Sequence, residues 1–553
     1  MRQRIRALLV FLSFLTAGGN ALAQEQFAYR ISFRDKAGAP ALSSNPSWLS
    51  SRSIARRANF GIGYDSTDRP VSPVYLDSVL KLTGGVFHTK SRWLNQCVIL
   101  VDDSVRIRSL AGKTFVSNVE WVGYFFAGLH QKSASGGTGP LQQAAQAKTT
   151  GTSAYYGYTW AATDMVHGDF LHDQGLTGRG KLIAVIDEGF TGVDTAPAFD
   201  SLRNSGRLLE THNFYQATNN VFVNGTHGTS VLSPLAGYLP NIYVGSAPLA
   251  DYALYITEDP TITDAVYEQD NLIAAMERAD SIGADVISAS LIYNFFSSPY
   301  NADFTKAQLD GHTTNIARAA NLASAKGIVY VSSAGNEGSN SWNFLDSPGD
   351  ADSALTVGSV NTLRNASSFS SPGPNSSGRV KPDVCLLGEP VPTYAGSAFV
   401  SNQSGTSFAA PQLAGYVACL LQSNPKARPA VIRSAVQRCS DRYNAPTAKL
   451  GYGIPDFRNI LPYLNVPEGA GRFGFSISPN PFTDNIRVSF SAWHGPAAFR
   501  LFDPCGRVIS LNAQDAGQGV FMLSVPQSLP AGVYFLEAEA AGSRVTKRVV
   551  RLD

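Results

Sequence analysis

Four short apolar runs, residues 181–186 (KLIAVI), 284–290 (ADVISAS), 327–332 (GIVYVS) and 354–360 (ALTVGSV), leave this chain few folds to choose from. They are rich in Val and Ile and do not alternate apolar with polar, the pattern of strands buried on both faces. Between them apolar residues recur at helical spacing: Leu272, Ala275, Met276 and Ala279, then Ile316, Ala319, Ala320 and Ala323. Strands alternating with helices predict an α/β fold, a parallel sheet with helices on both faces. In such sheets functional side chains gather just past the carboxyl ends of the strands.

The flanks follow other patterns. Residues 24–131 mix strand and helix signals, with 97–101 (CVILV) and 119–126 as strands, and read as an α+β unit. Residues 132–153 (KSASGGTGPLQQAAQAKTTGTS) are poor in large apolar side chains and read as an accessible linker. Residues 470–553 carry strand-like segments at 486–490, 498–502, 520–525, 532–538 and 544–551 with no helical period, which predicts a small β-sandwich. At the start, Arg2, Arg4 and Arg6 precede the apolar run 7–15 and the small-x-small triplet Ala21-Leu22-Ala23, so residues 1–23 read as an export signal cleaved before Gln24. The run is too short to span a bilayer, which needs about 20 residues.

Charge narrows the partners. With 44 Lys and Arg against 42 Asp and Glu, the chain has no basic field to recruit nucleic acid, and a polypeptide partner fits better. The five cysteines show no C-x-x-C spacing, and the sequence leaves their pairing open. No H-E-x-x-H or cysteine cluster points to zinc, so no metal ligand is assigned.

Three residues could carry chemistry. Asp187 ends the run 181–186; His227 lies in Asn224-Gly225-Thr226-His227-Gly228-Thr229; Ser407 lies in Gly405-Thr406-Ser407-Phe408-Ala409-Ala410-Pro411, ahead of an apolar helix over 412–421. Singly they read as a turn aspartate, a loop histidine and a helix cap. Together they stand in the order Asp, His, Ser, which differs from the orders of the chymotrypsin and α/β-hydrolase families. A serine hydroxyl needs an imidazole base, and the imidazole needs a carboxylate to fix its tautomer. His172 and His212 lack the glycine-bracketed setting and read as structural or surface residues. Pro411 is expected close to the helix start, where a missing N–H matters least.

Five blocks in order, Val185-Ile186-Asp187-Glu188-Gly189, His227-Gly228-Thr229, Ser333-Ala334-Gly335-Asn336-Glu337-Gly338, Lys381-Pro382-Asp383 and the block around Ser407, resemble the signatures of the subtilase family of serine proteases. The resemblance spans about 155–460 and implies a subtilisin-like peptidase domain over 154–464, with Asp187, His227 and Ser407 as triad and Asn336 as oxyanion donor. It also implies a groove with Ser290 and Leu291 as one edge and Ser333, Ala334 and Gly335 along the primary side-chain pocket. Ile292 stands where the family usually has Gly, and Glu188 where a small residue is commoner. No cofactor is implied; structural calcium, common in the family, cannot be placed.

Residues 24–131 occupy the position of a subtilase pro-domain, an intramolecular inhibitor. Residues 470–553 resemble the sorting domain of type IX secretion cargo of Gram-negative bacteria, through Ser478-Pro479-Asn480-Pro481-Phe482, Gly532-Val533-Tyr534 and Lys547-Arg548-Val549-Val550-Arg551. The resemblance implies a secreted or outer-membrane-surface endopeptidase exported through the periplasm. Its rivals are an esterase, which would carry G-x-S-x-G at Ser407, and a binding protein on a degenerate scaffold, which would have lost a triad member.

Overall fold

A computed structural model describes residues 25–126, 152–465 and 475–552, apart from 44–45, 263, 297–301, 397–398, 491–495, 505, 518 and 541–542. The export signal and nearly all of the linker lie outside the described residues. Two compact units divide between Phe457 and Arg458.

The first unit holds two large sheets and two two-stranded ribbons, Val391–Tyr394 with Val400–Gln403 and Tyr238–Leu239 with Tyr243–Val244. Its seven-stranded parallel sheet runs in the order Val384–Glu389, Leu355–Asn361, Val329–Ser333, Val286–Ala289, Leu182–Asp187, Asp251–Ile256 and Leu208–Asn213. Alternate residues feed opposite faces. Leu182, Ala184 and Ile186 join one core with the helices Glu268–Ile282 and Asn315–Ala325, including the helical-period residues read from sequence. The other face is covered by His227–Ala236 and Thr406–Ser423.

The second sheet is antiparallel, in the order Val86–Ser91, Gln96–Val101, Glu25–Phe33 and Val116–Phe126, and is accompanied by the helices Ser51–Phe60 and Pro73–Thr83. It packs on the helix Glu268–Ile282 through an apolar core shared by Val98, Leu100 and Val122 with Leu272 and Met276, and through charge. Arg30 binds Asp270 at 2.7 Å, and Asp280 receives Arg56 at 2.5, Arg57 at 2.6 and Arg92 at 2.8 Å. Glu277 accepts the Ser91 hydroxyl and the Trp93 amide. Lys326 reaches back to Asp68 at 2.9 Å. Asp280 is fully buried, so these guanidinium groups are what makes its burial tolerable.

The second unit pairs two four-stranded antiparallel sheets. One runs Phe475–Ser478, Asn485–Phe490, Val520–Ser524, Asn512–Gly517; the other runs Val508–Ile509, Ala498–Phe502, Gly532–Ala540, Ser543–Arg551. Ile486, Val488 and Leu523 of the first share a core with Leu501, Leu536 and Val549 of the second, as in a sandwich. Among the described residues Cys97, Cys385 and Cys419 are buried free thiols, and no helix is long and apolar enough to cross a membrane.

Candidate active site

Register places three of the expected residues in one row. Ala289 is paired with Ile186 on one side and Ser332 on the other, so Asp187, Ser290 and Ser333 stand side by side at the carboxyl edge of the sheet. Two helices begin above this edge. His227 is the first residue of one and Ser407 the second of the other. Gly228 lets the histidine helix sit against the aspartate strand, because a Cβ there would lie 2.5 Å from the Gly189 carbonyl oxygen and 2.9 Å from the Asp187 Cβ.

His227 Nδ1 lies 2.7 Å from Asp187 Oδ1, which also accepts the Glu188 amide at 2.9 Å. The Asp187 carboxylate is wholly buried while 31% of the His227 side chain stays exposed, so the imidazole can face a substrate. Burial pulls its pKa down; the charge of Asp187, their hydrogen bond and the charge of Glu188 outweigh that and push it up to about 9. The Phe408 ring, beside Ser407 in the chain, lies 5.7 Å from the imidazole between centroids. Among the described residues no hydrogen bond joins the Ser407 hydroxyl to the ring; such bonds are commonly long before substrate arrives.

Pro411 corrects the sequence reading. The helix begins at Thr406, making Pro411 its sixth residue, beyond the first turn. A proline there withholds the N–H that would serve the Ser407 carbonyl. The Ser290 hydroxyl takes that carbonyl instead, at 3.0 Å. Ser290 therefore ties the central strand to the serine helix as well as standing at the sheet edge. The histidine helix repeats the device: Pro234 leaves the Ser230 carbonyl free, and the Ser233 hydroxyl donates to it at 2.8 Å.

Asn336 is exposed, and its side-chain oxygen accepts both the amide and the hydroxyl of Thr406, at 3.0 and 3.1 Å. With Oδ1 fixed there, Nδ2 is turned away from Thr406. The Ser407 amide, within the first turn of its helix, is one of the donors a helix start leaves free. Leu291 and Ile292 are half-buried, while Ala334 and Gly335 are buried. Gly335 adopts φ +110, and its N–H donates to Thr406 Oγ1 at 3.3 Å. Sequence reasoning missed the part of Thr406, which braces Asn336 and Gly335 at once.

The remaining motif residues serve the frame. Lys381 is fully buried, with Nζ 2.8 Å from Asp383, from the Ala354 carbonyl and from the Thr356 hydroxyl. His172 is held by the Tyr156 hydroxyl and the Ser246 carbonyl, and His212 faces Asn219. Glu258, Asp264 and Glu268 bring carboxylate oxygens within 4.8 Å of one another and are the described group that could hold a cation. Burial, joined by the charge of Asp264, pushes Glu258 up to about 8, although the Tyr293 and Thr257 hydroxyls donate to it.

An aspartate-bound imidazole at the edge of a parallel sheet, next to a helix-borne serine, defines a serine hydrolase of α/β architecture. The model of the subtilase family, peptidase S8, matches residues 178–453; the peptidase S8 propeptide domain of Bacteroidota matches 28–135; a secretion system C-terminal sorting domain matches 476–551. The chain is 30% identical over 371 residues to the thermophilic serine proteinase of Bacillus sp. (strain AK1), covering 66% of this chain and 81% of that protein. It is 29% identical over 271 residues to subtilisin E of Bacillus subtilis (strain 168), 48% of this chain and 62% of that one. Over 332 residues it is 26% identical to serine protease AprX of the same organism, with coverages of 54% and 71%. The chain belongs to the subtilase family. It is a subtilisin-like serine endopeptidase made with a propeptide and a secretion sorting domain.

Proposed function

We propose that Ser407, His227 and Asp187 are the catalytic triad, and that Asn336 with the Ser407 amide stabilises the oxyanion. The Ser407 hydroxyl attacks the scissile carbonyl as the distal nitrogen of His227 takes its proton, while Nδ1–H donates to Asp187. Asn336 Nδ2 and the Ser407 N–H then donate to the negative oxygen of the tetrahedral intermediate. His227 returns the proton to the leaving amine, and water releases the acyl group by the reverse sequence. The observation that carries this reading is the 2.7 Å contact from Asp187 to His227, with Asn336 fixed by Thr406 beside Ser407. Covalent capture by a fluorophosphonate, mapped by peptide mass spectrometry, tests it: label on Ser407 is expected, and label elsewhere rejects the assignment. Turnover of casein well above that of a simple ester is expected of an endopeptidase, and the opposite order favours an esterase.

The same reading gives roles to the flanks. Residues 1–23 direct export to the periplasm, and residues 24–131 are the inhibitory pro-domain. Residues 132–153 are the connector cut during maturation, 154–464 the peptidase domain, and 470–553 the sorting domain passed to type IX machinery. The product is released outside the cell or held on the outer-membrane surface of a Gram-negative bacterium. Deletion of the residues after Val466 should leave a folded peptidase in the periplasm; undiminished export of the truncated chain would remove the sorting role.

A further inference from the structure

Asp346 lies where the proposed chemistry has no use for it. It is fully buried, and among the described residues neither carboxylate oxygen has a hydrogen-bond partner. Asn294, Trp342 and Ser371 surround it closely enough to favour its charged form, yet none donates with good geometry; the Asn294 Nδ2 is itself buried without a partner, and the Trp342 Nε1–H goes to the Leu345 carbonyl. Burial, and next the charge of Glu337, push the Asp346 pKa up to about 8. An unpaired buried carboxylate is costly, and no cation among the described residues pairs with it.

Its place explains the arrangement. A Cβ on Gly335 would fall 1.9 Å from Asp346 Oδ2, so the carboxylate presses against the residue just before Asn336. The next residue, Ser347, exchanges backbone hydrogen bonds with Tyr293 at 2.8 and 3.1 Å. Asp346 thus sits between the two segments that leave the sheet after Ser290 and Ser333, and both segments touch the serine helix, through Ser290 on the Ser407 carbonyl and Gly335 on Thr406. Farther along the same segments the Phe295 and Trp342 rings meet edge-on, 5.1 Å between centroids.

We propose that Asp346 is the floor of the subsite for the residue that supplies the scissile carbonyl, and that this subsite takes lysine or arginine. This rests on the proposed roles of Ser407 and Asn336: with a carbonyl held there, its side chain drops between Leu291-Ile292 and Ala334-Gly335. The aliphatic stem of a basic residue packs on those walls, and its cation meets the Asp346 oxygens by parting the side chains that cover them, a pairing that favours a planar guanidinium. A buried group built for a partner discriminates strongly against side chains that lack it. The enzyme therefore cuts after basic residues.

Two measurements on the purified mature enzyme decide this, with active sites counted by fluorophosphonate. In a mixture of cellular peptides, cleavage after Lys and Arg should dominate, and a peptide with Arg before the scissile bond should exceed its Leu twin in kcat/KM by about 10²-fold. Asp346→Asn should lower kcat/KM for the Arg peptide by about 10²-fold and leave the Leu peptide unchanged or improved. Labelled enzyme that prefers apolar residues, or a variant that keeps the parent's Arg to Leu ratio, overturns the assignment and leaves the triad standing. A mature protein that neither labels on Ser407 nor cleaves either peptide rejects both. Should Asp346→Asn not fold, benzamidine on the parent gives the same decision: competitive inhibition supports the acidic floor, and indifference to it overturns the proposal.

Discussion

Asp280, on the helix beneath the first sheet, and Asp346, behind the cleft, are both fully buried aspartates, yet among the described residues one is gripped by three guanidinium groups and the other by none. Burial alone would raise both pKa values. At Asp280 the charges of Arg56, Arg92 and Arg57 overcome it and hold the carboxyl below the usual range, whereas at Asp346 burial is reinforced by Glu337. The paired acid belongs to an assembly already complete within one chain, because its three cations come from residues 24–131. The unpaired acid is left, in the proposal above, for a cation from outside. Under the proposed roles, the back of the peptidase sheet is set for a partner that leaves, and the front for one that arrives.

The largest expected effect removes the front chemistry and spares the back. Ser407→Ala takes away the nucleophile but little volume, so peptide hydrolysis should fall on the order of 10⁶-fold. The fold and the arginine grip on Asp280 should remain. If maturation is a self-cleavage, the variant accumulates as an intact precursor starting near Gln24, read by gel mass and N-terminal sequencing. Cleavage within 132–153 in the absence of other proteases would mean that the cut comes from elsewhere.

Next comes the back face. In the Ser407→Ala precursor, Asp280→Ala strips Arg56 of its buried counter-charge, while Arg57 keeps Asp68 and Arg92 keeps Glu277, and should cost about 3–5 kcal/mol of stability by denaturant unfolding. If maturation removes residues 24–131 as proposed, the arginines depart with them, and in the mature enzyme the same change should cost about 1 kcal/mol or less. Equal losses in the two forms would break the comparison. At the front, Asn336→Ala should lower kcat by about 10²–10³ with little change in KM. A loss confined to KM would make Asn336 a binding residue.

How much of this was legible follows from what burial does to sequence. The strands buried on both faces, such as Leu182–Asp187 and Val329–Ser333, leave unbroken apolar runs and were readable to within a residue or two. The edge strand Leu208–Asn213 is only half-buried and reads LLETHN, and Asn512–Gly517 is exposed throughout, so neither leaves such a run. The blocks around Asp187 and His227 were legible in part because close backbone contacts demand glycine at Gly189 and Gly228, whereas Ser407 and Asn336 stood out by the order of their blocks. Asp346 left no such block. It stands in a loop without periodicity, and only its contact with Gly335 in three dimensions ties it to the cleft. The Ser290 bond could have been anticipated, since Pro411 four residues after Ser407 must orphan that carbonyl.

The smallest effect separates exposed charge from buried charge. Glu188 is exposed, and its charge is the last contributor to the raised pKa of His227. Because only the neutral imidazole accepts the serine proton, kcat/KM should rise with pH until about 9 and be lost as pH falls below it. Glu188→Gln removes a charge that favours the imidazolium, so the profile should move toward lower pH, with about twofold to threefold more activity at pH 7 and an unchanged plateau. Salt sharpens the contrast. At 1 M ionic strength the Debye length is about 3 Å, so the gain from Glu188→Gln should shrink toward nothing, while a preference set by the buried Asp346 should persist. An unshifted low-salt profile would show that Glu188 does not act on His227, and a cleavage preference that fades with salt as fast as the Glu188 effect would place the selecting charge at the surface.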